Sequence, residues 1–150
     1  MTNPFLVDGI TRLQHWKLVR QEISQMTDHL QQVDTCLQFF KQAGFENYYL
    51  DWDKCQTWPG AWDLMYGNHF CPSGLSLGIA YTLLLASPET FDNLTLCLIL
   101  DRTNSIQKIV VDWNNWLINY DYLDRVDKNT LKTSLTLNRW TYQDKSWHQQ

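Results

Sequence analysis

A chain of 150 residues with 44% hydrophobic residues, 19% charged residues and eight Trp is too apolar and aromatic to be disordered, and at this length one core can bury roughly 70% of the extended-chain surface. The net charge of −4 gives no basic field for a phosphate backbone, which disfavours nucleic acid as a partner. Residues 75–86, the longest apolar run, fall short of the ~20 residues of a membrane span, and residues 1–10 lack the regions of an export signal. The expectation is a single domain over 1–150, without membrane contact, in the cytoplasm.

The first long pattern runs Trp16, Val19, Ile23, Met26, Leu30, Val33, Leu37 and Phe40, a 3-4-3-4-3-4-3 spacing with polar residues between. This is a heptad-like seam within a helical region over 10–43, closed by Gly44. Two arrangements satisfy it: one long helix, or two helices broken near Ser24 to Asp28 with Thr27 or Asp28 as the second N-cap. The stripe either lies on the chain's own core or serves self-association or a protein partner.

Residues 46–53 are aromatic and extended in character. Trp58-Pro59-Gly60 then punctuates the chain before a short helix from Ala61 to about Tyr66, with Pro59 at a first helical position. Cys71-Pro72-Ser73-Gly74 opens a second helix, and Leu75 to Ala86, apolar on nearly every side, reads as a buried central helix ended by Ser87-Pro88. After it the period turns strand-like over Leu94–Leu100, Ile106–Trp113 and Trp116–Tyr122, with turn residues between them. Leu131–Tyr142 adds a further strand, and the last eight residues read as frayed. Helices followed by sheet give an α+β fold whose second part, 57–142, is a helix with an antiparallel β-meander.

Cys36, Cys55, Cys71 and Cys97 show no C-x-x-C and no His pair at zinc-ligand spacing, so no metal and no cofactor is implied. A chain with a full apolar core needs no disulfides, which points to a reducing compartment. Cys71 is the one thiol with a chemical setting: the free N–H groups of a helix start stabilise a thiolate, and they would equally stabilise an oxyanion. A nucleophilic Cys also needs a base within reach and a group to orient that base. The opposing reading is a small packing residue at a helix start.

The stretch Trp58-Pro59-Gly60-Ala61-Trp62-Asp63-Leu64, then 68–83 from Asn68-His69-Phe70-Cys71-Pro72 onward, then the strand end Trp116-Leu117-Ile118-Asn119-Tyr120, resembles bacterial transglutaminase-like cysteine peptidases. The resemblance covers about residues 57 to 122 and rests on order and spacing. It implies a transglutaminase-like, papain-like architecture in which Cys71 falls at the nucleophile position, with a His and an Asp following on two successive strands. The acidic neighbours of the family's Cys are replaced here by Phe70, Pro72 and Ser73. Gln107 and Lys108 stand where the His is expected, and Asn119 stands for the orienting acid. A two-residue turn at Asn114-Asn115 would pair Asp112 with Leu117 and set Lys108 and Asn119 on one face, Gln107 on the other. The base position is Lys108 or empty. His69 lies two residues from Cys71 on the other side in sequence, and His148 lies in the tail. The resemblance therefore implies a degenerate triad, with Cys71, His69, Lys108 and Asn119 as the candidate catalytic residues.

The pattern Trp-Pro-x-x-Trp-Asp-Leu, followed by Ala-Tyr-Thr-Leu and Leu-x-Asn-Tyr, is also similar to small proteins of tailed bacteriophages. That implies a phage-encoded accessory or virion protein, in the host cytoplasm or the particle. The leading expectation is a pseudoenzyme acting as a non-catalytic protein-interaction module. The competing expectation is a thiol-dependent peptidase or amidase with Cys71 as nucleophile.

Overall fold

The computed structural model describes residues 3–44, 50–131 and 134–150. Helix α1 (Gly9–Ser24) starts where the Asp8 carboxylate accepts the Thr11 N–H at 2.8 Å, satisfying one of the donors that the first turn leaves open. The chain breaks over 25–28, and Asp28 restarts it by accepting the Leu30 and Gln31 N–H groups at the head of α2 (His29–Phe40). Two helices are therefore present. The buried Gln32 amide holds the break, donating to the Ile23 and Met26 carbonyls at 2.9 and 3.4 Å.

The seam keeps its spacing across the break and faces inward. Trp16, Ile23, Val33, Leu37 and Phe40 are all buried in the core, while Val19, Met26 and Leu30 are partly covered. Most of the stripe therefore lies on the domain's own core: a 3-4 spacing is what any core-facing helix shows, and here a hairpin of two helices folds Trp16, Ile23, Val33, Leu37 and Phe40 onto the domain, leaving only Val19, Met26 and Leu30 partly exposed. Helix α2 ends at Phe40, capped by Lys41, so Gly44 lies beyond it rather than at its end.

Helix α3 (Ala61–Gly67) has Gly60 as its N-cap, which places Pro59 ahead of the helix rather than in its first turn. Helix α4 (Pro72–Ala86) has Cys71 as N-cap and Pro72 in its first turn, and it is buried from Gly74 to Leu83. Gly78 lets α2 come close, because a Cβ there would lie 2.9 Å from the Phe40 ring. Thr82 resolves its buried hydroxyl by donating to the Gly78 carbonyl at 2.7 Å and accepting the Trp16 indole N–H at 2.9 Å.

The sheet is antiparallel, in the order β4-β3-β2-β1-β5-β6. Its strands are β1 (Thr95–Asp101), β2 (Ile106–Trp113), β3 (Trp116–Ile118), β4 (Arg125–Asp127), β5 (Ser134–Gln143) and β6 (Ser146–Gln149). One face packs on α4, against which α1, α2 and α3 pack in turn, in a core that draws on residues from Phe5 to Trp147. Cys97, Ile99, Val110, Leu117 and Tyr120 form a smaller cluster of their own.

Two expectations are corrected by the sheet, and one strand is new. The strand beginning at Trp116 stops at Ile118, because Asn119 adopts a left-handed φ of 68° that turns the chain out of the ladder. The short β4 that follows has no counterpart in the sequence reading. The tail is not frayed: β6 pairs with β5, and the buried Trp147 donates its indole N–H to the Tyr81 hydroxyl at 3.0 Å while its ring meets Tyr81, Tyr142 and Trp58. Of the extended stretch over 46–53, residues 46–49 lie outside the described residues, and 50–53 form no strand.

Candidate functional site

Cys71 opens onto a cavity of about 430 Å³ bounded by the head of α4, the start of β2 and the chain leaving β3. Its placement follows from the local sequence. Pro72 presets the first helical turn, and the Cys71 sulfur takes the cap position, accepting the Gly74 N–H at 3.3 Å. The residue is only 8% exposed. All four thiols are free, and the other three lie elsewhere: Cys36 is fully buried under α4, Cys97 sits in the smaller apolar cluster, and Cys55 is half-buried beside Trp147. Burial pushes the Cys36 thiol up, and burial followed by the neighbouring Asp112 carboxylate pushes Cys97 up to about 11.

Cys71, Lys108 and Asn119 line the same cavity, whereas His69 does not. Asn119 turns towards α4. Its amide N–H₂ donates to the Pro72 carbonyl at 3.1 Å and to the Ser76 hydroxyl oxygen at 2.9 Å, and its amide oxygen accepts the Leu123 N–H at 2.8 Å. Ser76 in turn donates to the Ile109 carbonyl at 2.7 Å, so the head of α4, β2 and the 119–123 turn are bonded into one unit.

The Lys108 ammonium is engaged too. It donates to the Tyr120 carbonyl at 2.8 Å, lies 4.1 Å from the centre of the Tyr120 ring and stands 4.0 Å from Asp101. The pairing of Asp112 with Leu117 is as expected from the turn, but the faces are not. Ile109 and Val111 pack in the core with α4 while Val110 packs in the smaller cluster, so alternation sets Gln107 on the α4 side and Lys108 on the other. Asn119 joins the α4 side because β3 has already ended.

His69 borders a shallow pocket of about 70 Å³ with Pro59, Asp63, Leu64 and Gly67. His29 is at the head of α2, its Nδ1 3.2 Å from the Gln32 amide oxygen, and His148 is on β6, 3.1 Å from the Ser146 hydroxyl. His15 is on α1. None of the four imidazoles borders the Cys71 cavity. Ser76 and the true face of Gln107 escape sequence reasoning. A lone hydroxyl inside the apolar run 75–86 was the available signal for Ser76, since a buried hydroxyl demands a partner.

Asp112 anchors a separate ionic group, pairing with Lys128 and, at 3.0 Å, with Arg139. Among the described residues no three His, Cys, Asp or Glu side chains converge to hold a metal ion, and no helix is long and apolar enough to cross a membrane.

No protein-family profile and no curated protein matches the chain. Solved structures do. The calcium-bound form of LapG from Legionella pneumophila superposes with a TM-score of 0.72 at 10% identity, covering 95% of this chain and 80% of that one. A second LapG structure gives 0.69 at 11% identity, with 95% and 81% covered. The fold is therefore transglutaminase-like and α+β.

Proposed function

We propose that this chain is a non-catalytic protein-interaction module, a phage-encoded accessory or virion/assembly protein, built on a transglutaminase-like fold whose cysteine site lacks its general base. The observation that carries this reading is the lining of the Cys71 cavity, which contains no imidazole and presents Gln107 on the α4 side of β2. LapG, a structural neighbour, is a transglutaminase-like cysteine protease. A carboxamide has no nitrogen that accepts a proton, and the Lys108 ammonium is committed to Tyr120. A general base contributes roughly 10²–10⁴-fold to a step of this kind, and among the described residues the cavity offers Cys71 a helix start but no such base.

A second reading, a thiol-dependent peptidase or amidase, draws on one fact: Cys71 caps a buried helix and borders a cavity. The two are separated by incubating the protein and its Cys71→Ser variant with an unfolded protein such as denatured casein. The module reading expects no cleavage by either, with equal circular-dichroism melts. Cleavage by the wild type that the variant loses would establish the enzyme.

A further inference from the structure

Helices α1 and α2 leave an open groove of about 910 Å³ that shares no lining residue with the Cys71 cavity and exceeds it in volume. Its floor is apolar, made by Val19 and Leu30, both partly exposed, and by the edge of Phe39. Along one wall Gln31, Thr35 and Gln38 follow one another at a 4-3 spacing, which is a single face of α2, and Gln42 extends the wall just beyond the helix end. Among the described residues the rim carries Glu22, Asp28 and Asp34 against one cation, Arg125. That cation is already matched, since Asp34 accepts from its guanidinium at 2.7 and 3.2 Å, and its plane stacks on Trp116. Glu22 has no ion-pair partner among the described residues.

We infer that this groove docks a basic amphipathic helix from a partner protein. Charge and shape select the occupant together. Three carboxylates facing one guanidinium leave the rim negative, which attracts Lys or Arg and repels phosphate or an acidic segment. The trough follows α2, whose 12 residues extend roughly 18 Å at 1.5 Å each, enough for three turns of a helix to lie alongside with apolar side chains at i, i+3 or i+4 and i+7 on Val19 and Leu30. Neutral amides on the wall tolerate the flanking charges of such a helix. The inference rests on the interaction-module reading and gives it a surface and a partner class.

The test uses the full chain and two synthetic helical peptides of about 14 residues, with identical Leu positions and either Lys/Arg or Glu/Asp elsewhere. Calorimetric titration is expected to show the basic peptide binding at least about tenfold tighter than its acidic twin, with amide chemical-shift changes clustered around Val19, Leu30 and Gln38. The double variant Glu22→Lys/Gln31→Lys changes only exposed side chains, so it should melt like the wild type yet bind the basic peptide at least about tenfold more weakly. Alkylating Cys71 should leave binding unchanged. Absence of binding, equal binding of the two peptides, equal binding by wild type and variant, or shifts mapping elsewhere would each overturn the inference. So would a wild-type dimer that the variant dissolves, because the occupant would then be a second copy. Binding as expected alongside cleavage of casein would remove the non-catalytic reading and leave the groove standing; no binding and no cleavage would do the reverse.

Discussion

The side chain of Asn119 satisfies three groups at once, two of them acceptors: the Pro72 carbonyl and the Ser76 oxygen, whose own proton is given to Ile109. An amide can donate to both acceptors. A carboxylate cannot, so the residue that the fold's sequence pattern suggests at this position is the one that its surroundings reject. Asn119→Asp is expected to cost about 1–3 kcal/mol, the penalty of buried groups left unmatched. The introduced carboxyl would be held neutral in the folded state, its pKa raised above the unfolded value near 3.9. The folded form then binds the proton more tightly than the unfolded one, so the deficit should be smallest below about pH 4 and grow as pH rises. Urea midpoints at pH 3.5 and 7 check this, and a deficit that shrinks with rising pH would contradict it. At this scale the sequence reveals the capping role of Cys71, because Cys-Pro-Ser-Gly names a helix start. It conceals where Asn119 points, because a single left-handed φ redirects the side chain without altering any periodicity. It also conceals Arg12, whose buried guanidinium donates to the Met65 and Tyr66 carbonyls at the end of α3; such a long-range match has no local signal.

At the scale of elements, the seam and the central helix make opposite impressions in sequence and share one fate in the fold. Val33 on α2 and Leu83 on α4 are both fully buried. Leu83→Ala should destabilise by about 2–5 kcal/mol through lost transfer energy and the cavity left behind. Val33→Asp should go further and unfold the monomer, because an unpaired charge in this core costs several kcal/mol against a total stability of roughly 5–15 kcal/mol. Circular dichroism with denaturant titration reads both, and a folded Val33→Asp monomer with a wild-type midpoint would contradict the placement of α2 on the core. The helix break itself was half legible. Asp28 is a good cap in any sequence, but only the buried Gln32 amide, reaching back to Ile23 and Met26, explains why the hairpin is preferred over a continuous helix. The same holds for the tail, where Trp147 amid polar residues was a sign of burial that the polar composition around it masked.

For the whole molecule, the order of helices before strands was enough to name an α+β fold, and spacing around Cys71 was enough to suggest its transglutaminase-like form, which the LapG structures bear out. Strand order was not accessible in the same way. β1 lies between its sequence neighbour β2 and the distant β5, and pairing residues 95–101 with 134–141 depends on burial of both faces rather than on any local turn. That arrangement brings the head of α4, the start of β2 and the turn after β3 to one cavity, where a thiol stands opposite an amide. On the proposed reading Cys71 receives no help from a base. That reading is tested most directly by the iodoacetamide labelling rate of each cysteine at pH 6, followed by mass spectrometry. Cys36 and Cys97 are shielded by burial, so the half-buried Cys55 is the reference thiol. Without a base, Cys71 is expected to be labelled no faster than Cys55. Labelling of Cys71 about a hundredfold faster, the range that general-base assistance supplies, would contradict it.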